Sequence, residues 1–502
     1  MSKLFESLSE KFISLKLEVV APYMVLLLGF MTYFFNYQKP AALFWDENYY
    51  VSAATKYEKK VFFQEPHPPW GKLLIAAGNK ILDPNPGVHV DFEQTDYTKS
   101  IPVGYSFKGF RFFPALFAWL NSGLFYSVAL TLTQAPAWAL TLSTLYLLDN
   151  ALIVHSRGTM LDSIQLFGVL LALLGFFKMY RRNEFSTLWM IMMSTGIAWA
   201  TWTKINGLVL ILLVPGMLLL PKGIGLIDRV HKAKKSWGIG ALVFLFFTIF
   251  VWQLHFSLGQ NIEPKLNRNG WYQASDELIE IKTHPENNNN FISNFYIQFR
   301  DYMKFIGHYE KGVPKLDLCK KGENGSPFYW WPFGAKTINY RWETKDSGKS
   351  YSYLYLQVNP IVWGFALISV LLTFAYFIMR CIFEEIRIPE ESEKKLFMLF
   401  SLYVGYMVAI ARIDRVMYLY HYFIPLVFSF VMVMIWLPYL TKKIFIPKFK
   451  AQEILVQVIF ITLITSAYLF YRPFSYYEPI NCESFKARNI FPGWMLKGIN
   501  CE

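Results

Sequence analysis

Cysteine and charge are both scarce in this chain of 502 residues. Its four cysteines, Cys319, Cys381, Cys482 and Cys501, are too few for a disulfide-rich scaffold, and no CxxC pair indicates a zinc site. Only 17% of the residues are charged, whereas ordinary soluble domains carry about 25%. No internal repeat is visible, so the inverted symmetry of many transporters has no support. These absences argue against a disulfide scaffold, a zinc protein and a repeat-built transporter.

The chain is instead rich in apolar residues. Hydrophobic residues make up 54% of the chain and aromatic residues 19%, and the mean hydropathy is +0.27. Runs of roughly 20 apolar residues indicate helices that cross a membrane. The first run is too long for a secretion signal and lacks a cleavage site, so we expect it to be retained. About eleven membrane helices are predicted, at roughly 18–37, 110–131, 134–155, 160–178, 186–203, 205–220, 237–256, 358–380, 395–411, 413–440 and 452–471.

Two long polar stretches divide the predicted helices into regions. We predict an all-α polytopic membrane protein whose N-terminal transmembrane region, 1–256, includes a first outer loop at 38–109. A second outer loop follows at 257–356 as a small extracytoplasmic segment. The C-terminal transmembrane helices then occupy 357–471, and a polar extracytoplasmic tail occupies 472–502.

The formal net charge of +13 suggests contact with anionic membrane lipids. Nucleic-acid binding is not expected, because the basic residues lie in short segments between predicted helices. If the N-terminus is cytoplasmic, nearly all of these segments fall on the cytoplasmic side, as the positive-inside rule requires. The segments are 3–16, 178–182, 222–235, 380–395 and 442–450. Both long loops and the tail then lie on the opposite face.

Two adjacent carboxylates, Asp46 and Glu47, follow the first predicted helix in the motif FWDENYY. This position is close to the membrane surface on the outer side. One interpretation is a solvated pair that caps the next helix. The other is a general base with a neighbouring carboxylate that orients the donor or the acceptor.

The motif HPPWGK contains His67 and Lys72 in the same loop. Its two consecutive prolines fix an extended backbone and end any preceding helix. By itself the motif is typical of a structural loop. The functional interpretation is that His67 and Lys72 contact the acceptor at the edge of a rigid turn.

Several ionisable residues lie within or at the ends of the predicted membrane helices. Such residues are costly in a membrane and indicate function by default, although an intramembrane salt bridge or snorkelling to the interface explains them equally well. The basic ones suit a lipid that carries a phosphate, because arginine contacts phosphate oxygens in pairs and lysine supplies a point charge. The residues are Arg111, Arg157, Asp162, Lys204, Arg415 and His421, with Tyr422 beside the last.

The order of these motifs resembles the protein O-mannosyltransferase family. That order is DE, HPPxGK, FRxxPALF, RxxMLD, a lone lysine, GSPFYWWP, NPIVW and YHYF, and it runs from Phe44 to Phe423. DE and HPPxGK are fairly specific at this spacing, whereas NPIVW or the aromatic cluster alone is weak. The family consists of membrane enzymes of the GT-C fold that use a polyprenyl-phosphate-mannose donor. The second outer loop has no room for the MIR domain of eukaryotic members, which favours a bacterial-type member.

The resemblance implies a role for each position that matches the family pattern. Asp46 matches the catalytic base and Glu47 its neighbour. The implied positions around the lipid phosphate are Arg111, Arg157, Asp162, Lys204, His421 and Tyr422. No metal is required by this chemistry, although Asp46 and Glu47 could together bind a divalent ion.

Three functions are compatible with these motifs. The first is an inverting transfer of mannose, or a related hexose, from a polyprenyl phosphate to Ser or Thr of exported proteins. The second is the same chemistry on a lipid or envelope-glycan acceptor. The third is a transporter of a lipid-linked sugar, which the carboxylate pair on an outer loop disfavours. We expect a bacterial cell membrane with the active site on the extracytoplasmic face.

The tail contains a candidate disulfide between Cys482 and Cys501. Both cysteines follow the last predicted helix on the face assigned as extracytoplasmic, where an oxidising environment permits a bridge. Cys319, in the second outer loop, is the competing partner. Cys381 is excluded, because it lies on the basic, cytoplasmic side.

Overall fold

The computed structural model describes residues 17–220, 225–266, 270–285, 290–444, 450–498 and 501. Part of the predicted cytoplasmic charge, namely Lys3, Lys11, Lys16, Lys222 and Lys448, lies outside these residues.

The described chain is mostly helical. Its first half contains α1 Leu17–Phe34, α2 Glu47–Glu58, α3 Trp70–Leu82, α4 Lys108–Thr133, α5 Pro136–Leu147, α6 Asn150–Ser156, α7 Asp162–Arg182 and α8 Thr187–Thr203. Its second half contains α9 Leu213–Gly216, α10 Leu226–Leu258, α11 Asp276–Thr283, α12 Phe291–Gly312, α13 Pro360–Ile382, α14 Glu390–Ala411, α15 Phe423–Ile444, α16 Lys450–Tyr476 and α17 Cys482–Arg488.

Eight described helices are long and apolar enough to cross a membrane, or nine if α5 and α6, which meet at a bend of 61°, form one broken span. This confirms a polytopic membrane protein. Each of the eleven predicted spans is helical, but two fall short of the length or apolarity of a full span. These are α8, with 17 residues, and the stretch Ile205–Leu219, where α9 lies between 3₁₀ turns. The number of spans reaches the predicted eleven only if α5 and α6 form one span and these two segments also cross the membrane.

Two breaks in the helices, one between α5 and α6 and one at the end of α8, lie next to residues of the candidate site. Asp149 caps α6 by accepting the N–H of Leu152, so the chain turns sharply after α5. Lys204 ends α8 in an extended conformation, with φ −144° and ψ 135°. The predicted first outer loop, 38–109, contains the two short helices α2 and α3.

The predicted all-α membrane fold is confirmed as mostly helical, and the segments predicted as outer add one small antiparallel sheet to it. Strands β1 Ile338–Lys345 and β2 Ser350–Leu356 pair as a hairpin, and β3 Pro479–Ile480 pairs with the far edge of β2. The run YSYLYL, in which tyrosine alternates with serine or leucine, favours a strand. Its position in a long polar loop nevertheless led to the prediction of a loop. Because β3 comes from the tail, the second outer loop and the tail pack together rather than as separate segments.

The predicted disulfide is confirmed. Cys482 and Cys501 are bonded, while Cys319 and Cys381 are free and exposed. The bridge lies beside the sheet, because Cys482 follows β3 directly and Cys501 Sγ is 3.7 Å from the hydroxyl of Tyr353 on β2.

Candidate active site

The carboxylate of Asp46 is not used to cap a helix. Asp46 occupies the N-cap position of α2, but its side chain makes no capping hydrogen bond. Trp45, directly before it, has a φ of 51°, a left-handed conformation that is uncommon for a bulky residue. Because the Asp46 side chain does not cap α2, the capping interpretation is ruled out for this residue.

Asp46 has one oxygen engaged and one free. Its Oδ2 accepts the hydroxyl of Tyr420 at 3.1 Å, and Oδ1 has no hydrogen-bond partner among the described residues. Burial raises the pKa of Asp46, while the Tyr420 hydrogen bond and the nearby charge of Lys204 oppose that rise. A carboxylate in this state can accept a proton more readily than an exposed aspartate.

His155 links the surroundings of Asp46 into one network. Its Nε2 lies 2.7 Å from Asp162 Oδ2 and its Nδ1 lies 2.7 Å from the hydroxyl of Tyr340. A neutral ring satisfies both contacts by donating to Asp162 and accepting from Tyr340. The His155 ring also stacks on Tyr420 at 4.8 Å, and Tyr340 stacks on Trp45 at 5.2 Å. The His155 imidazole thus contacts both Tyr420, which donates to Asp46, and Tyr340, which stacks on the preceding residue Trp45.

Lys204 brings a positive charge to this network. Its Nζ donates to both oxygens of Asp162, at 2.7 and 2.8 Å, and lies 5.4 Å from the ring centroid of Tyr420. An ammonium has three N–H donors, so at least one remains for an anionic ligand. Asp162, Lys204 and Asp46 therefore lie around the single ring of Tyr420.

Further nitrogen-containing side chains border the same space. Burial lowers the pKa of His67, and the charges of Lys204, Lys72 and Arg415 lower it further. His421 stacks on Tyr420 at 4.7 Å and is anchored to the backbone of Tyr418 through Nδ1. In the described part of the chain, its Nε2 has no hydrogen-bond partner. Arg415 forms an ion pair with Glu310 at 2.7 Å and keeps 17% of its side chain exposed.

Glu47 and Arg111 form a closed clamp instead of a reactive pair. Both side chains are fully buried, and Arg111 donates through Nε and Nη2 to the two oxygens of Glu47, at 2.6 and 2.7 Å. Its other N–H groups donate to the carbonyls of Gln38, Pro40 and Ala42. No N–H of Arg111 is left for a phosphate, so the predicted phosphate contact does not fit this geometry.

The acceptor positions of the Glu47 carboxylate are also occupied, because it accepts the N–H groups of Phe44 and Thr159 as well, at 3.0 and 2.7 Å. Its predicted catalytic role is therefore replaced by that of a positioning residue, which fixes the turn that carries Asp46.

Two more predicted ligands are used in packing. Lys72 is buried and donates to Glu65 at 2.7 Å and to the carbonyl of His67 at 2.8 Å, so it braces the HPP turn instead of contacting an acceptor. Tyr422 is buried, and its hydroxyl pairs with that of Tyr403 at 3.0 Å, with its ring against Trp363. Neither side chain borders the space around Asp46.

Arg157 lies in a different place from the other predicted phosphate ligands. Its guanidinium donates to the carbonyls of Thr32, Phe35 and Asn36 at the end of α1 and covers the ring of Tyr476. It lines a separate cavity between α1 and α16. The prediction that Arg157 joins Lys204 around one phosphate is therefore wrong in its geometry.

Sequence reasoning missed three residues of the network, His155, Tyr340 and Tyr420. Tyr420 is the first residue of the YHYF motif and directly precedes His421, while His155 lies two positions before Arg157 of the RxxMLD motif. Tyr340 comes from β1 and carries no sequence signal for this role. Within the described ranges, no three His, Cys, Asp or Glu side chains come together as metal ligands would, and metal independence stays a prediction.

Two family profiles match the chain. The profile described as dolichyl-phosphate-mannose-protein mannosyltransferase matches residues 23–262. The profile described as the C-terminal four-transmembrane region of protein-O-mannosyltransferase matches residues 315–494. Together they include all the site residues described above except Glu310, the ion-pair partner of Arg415.

Curated relatives carry the same description. Protein O-mannosyl-transferase 1 of Rattus norvegicus is 31% identical over 191 residues, which are 37% of this chain and 25% of that protein. Dolichyl-phosphate-mannose--protein mannosyltransferase 1 of Candida albicans is 29% identical over 220 residues, 43% of this chain and 24% of that protein. The matches thus span about a quarter of the length of these relatives.

A solved structure shares the fold over nearly the whole chain. The S. cerevisiae Pmt1-Pmt2 complex, described as bound to the sugar donor, matches with a TM-score of 0.74 at 13% identity, covering 96% of this chain and 93% of that one. This likeness confirms the predicted GT-C-type fold. With both profiles matching in order along the same chain, the protein belongs to the protein O-mannosyltransferase family.

Proposed function

We propose that the chain is an inverting mannosyltransferase, which moves mannose from a polyprenyl phosphate to Ser or Thr hydroxyls of exported proteins. The observation that carries this proposal is the free Oδ1 of Asp46 together with the ammonium of Lys204, which both lie around Tyr420. Family membership supports the sugar and the class of acceptor.

The reaction is one displacement at the anomeric carbon. The acceptor hydroxyl oxygen forms a bond to this carbon as the bond from the carbon to the phosphate oxygen breaks, and the lipid phosphate leaves. The hydroxyl proton passes to Oδ1 of Asp46. Attack opposite the leaving group inverts the configuration, so a β-linked donor gives an α-mannoside.

The leaving phosphate gains negative charge, and Lys204 is the residue best placed to stabilise it. It is held rigidly by Asp162 while keeping at least one free N–H, so the positive charge is positioned before the reaction starts. Arg415, His67 and His421 border the same space and can add donors. The polyprenyl nature of the donor is part of the proposal; the dolichyl-phosphate-mannose in the description of the matching family profile supports it.

We further propose a bacterial cell membrane as the location, with Asp46 on the extracytoplasmic face. The disulfide supports this orientation, because it lies beside the sheet whose β1 supplies Tyr340 to the site, and disulfides form in oxidising compartments. The short basic segments support it as well, since the positive-inside rule assigns them to the cytoplasm.

A direct assay tests this proposal. Purified full-length protein is mixed with polyprenyl-phosphate-mannose and a Ser/Thr peptide, and the peptide product is analysed by mass spectrometry and NMR. We expect an α-mannosyl peptide from wild type and none from Asp46→Asn. Transfer only to a lipid or glycan acceptor would refute the protein acceptor. Movement of intact donor across a proteoliposome membrane without transfer would refute the enzyme and favour the transporter.

A further inference from the structure

A cavity of about 710 Å³ lies between α1 and α16, apart from the site around Asp46. Its volume is within the range of pockets that hold small ligands. Most of its wall is apolar, with Leu28 and Met31 from α1 and Ile461 and Thr465 from α16. The outward faces of both helices are exposed and apolar, as helix faces in contact with lipid are. Leu28 and Met31 in the wall are themselves exposed, so the apolar wall continues onto a surface suited to contact with lipid.

One end of the cavity is positively charged. Lys39, Arg157 and Arg472 line this end together with a single carboxylate, Glu478, which pairs with Arg472 at 2.9 Å. Lys39 is exposed and forms no ion pair among the described residues. Three cations and one anion above an apolar wall match an amphiphile with a negatively charged head.

The cavity is separate from the reaction site. None of Asp46, Lys204 or His421 lines it. The intervening space is filled by Phe44, whose ring lies against Gly158, and by the clamp of Glu47 and Arg111. A sugar carried by a lipid in this cavity would have no path to Oδ1 of Asp46.

We propose that this cavity binds one anionic membrane phospholipid, with its phosphodiester head at Lys39, Arg157 and Arg472 and its acyl chains between α1 and α16. The occupant differs from the polyprenyl carrier, which the separation from Asp46 excludes. The binding stands independently of the proposed function.

The bound lipid would also stabilise the turn that carries Asp46. Arg157 holds three carbonyls at the end of α1, and two residues later the N–H of Thr159 donates to Glu47 at 2.7 Å. A phosphate at Arg157 would thus fasten α1, α16 and the segment 157–159 together. A ligand that binds only the folded state raises the unfolding temperature.

Native mass spectrometry of the full-length protein in detergent tests the proposal. Phosphatidylglycerol, phosphatidylcholine or undecaprenyl phosphate is added, and bound lipid is counted together with the unfolding temperature. We expect wild type to retain one phosphatidylglycerol and to unfold at a higher temperature with it, but not with phosphatidylcholine. Lys39→Ala should bind about fivefold more weakly, since one basic residue near an anionic lipid contributes about 1 kcal/mol. Thr465→Trp, which fills the cavity, should lose the retained lipid.

The matched control is Lys349→Ala, which removes an exposed lysine from the turn after β1, away from the cavity, and should bind as wild type does. Equal retention of phosphatidylglycerol by wild type, Lys39→Ala and Thr465→Trp would overturn the proposal. So would equal retention of phosphatidylcholine, or displacement of phosphatidylglycerol by undecaprenyl phosphate. If Thr465→Trp fails to fold, the exposed Lys39 variant still decides the matter. None of these readouts depends on mannose transfer.

Discussion

Asp46 and Glu47 are neighbours in the chain, yet their surroundings differ completely. The two oxygens of Glu47 accept four hydrogen bonds, from Phe44, Thr159 and twice from Arg111, in a fully buried position. Asp46 accepts one, from Tyr420, and keeps an oxygen free. A carboxylate with every acceptor position filled supports the backbone, and one with a free lone pair can take a proton.

The same contrast separates the two buried cations. Arg111 donates all five of its N–H groups to Glu47 and to three carbonyls, and so has nothing left to offer a ligand. Lys204 has a single carboxylate partner and at least one spare donor. Glu47 and Arg111 therefore form a closed clamp, while Asp46 and Lys204 belong to an adjoining open site. Substitutions in the clamp should lower stability, and substitutions in the open site should lower activity.

The largest effect is expected from Asp46→Asn. Asparagine keeps the size of the side chain and a carbonyl oxygen for Tyr420, but it cannot act as a base, so transfer should fall by about 10²–10⁴-fold. The unfolding temperature should stay close to that of wild type. Steady-state transfer to a peptide measures the loss. Asp91→Asn, an exposed carboxylate in the same loop, is the control and should remain active.

Arg111→Ala should act on stability instead. Removing one partner of a buried ion pair typically costs about 3–5 kcal/mol, because the remaining charge is left without compensation. Arg111→Lys should recover only part of this loss, since lysine cannot supply five donors in the same plane. Unfolding in detergent followed by tryptophan fluorescence measures both variants. Wild-type stability with weakened donor binding would restore Arg111 as a phosphate ligand.

Lys204→Met tests the open region. Loss of one donor positioned at a developing negative charge typically lowers kcat by about 10²–10³-fold. Asp162 keeps its contact with His155, which limits the damage to the network. Single-turnover transfer at saturating donor separates this effect from binding. An unchanged rate under these conditions would show that Lys204 serves only to pair with Asp162.

Tyr420→Phe should change the pH dependence. The proposed base Asp46 must be deprotonated to accept a proton, so the transfer rate should fall as the pH drops through its raised pKa, above the ordinary value of 3.8. The Tyr420 hydroxyl favours the charged form, and removing it should raise this pKa further. The acid limb of kcat/KM should therefore move to higher pH in Tyr420→Phe, and an unmoved limb would exclude Asp46 as its source.

Much of this organisation was accessible from the sequence because it depends on local properties. Apolar runs identified the helices, and the charged residues Asp46, Asp162, Lys204 and Arg415 do gather near one space. The roles of Arg111 and Glu47 were not accessible, because a charge in a sequence does not reveal how many of its donors or acceptors the backbone already occupies. The sheet is not predicted for other reasons, since β1 and β2 lie within a polar loop and β3, which completes the sheet, is distant in the chain.

The most direct test of the different roles of Asp46 and Glu47 compares Asp46→Asn with Glu47→Gln. Single-turnover transfer and the unfolding temperature are measured for both variants. The account predicts that Asp46→Asn unfolds like wild type and transfers mannose about 10²-fold or more slowly. Glu47→Gln should unfold at a clearly lower temperature and, where still folded, transfer faster than Asp46→Asn. A Glu47→Gln protein of wild-type stability without transfer, next to an active Asp46→Asn, would contradict the account and make Glu47 the base.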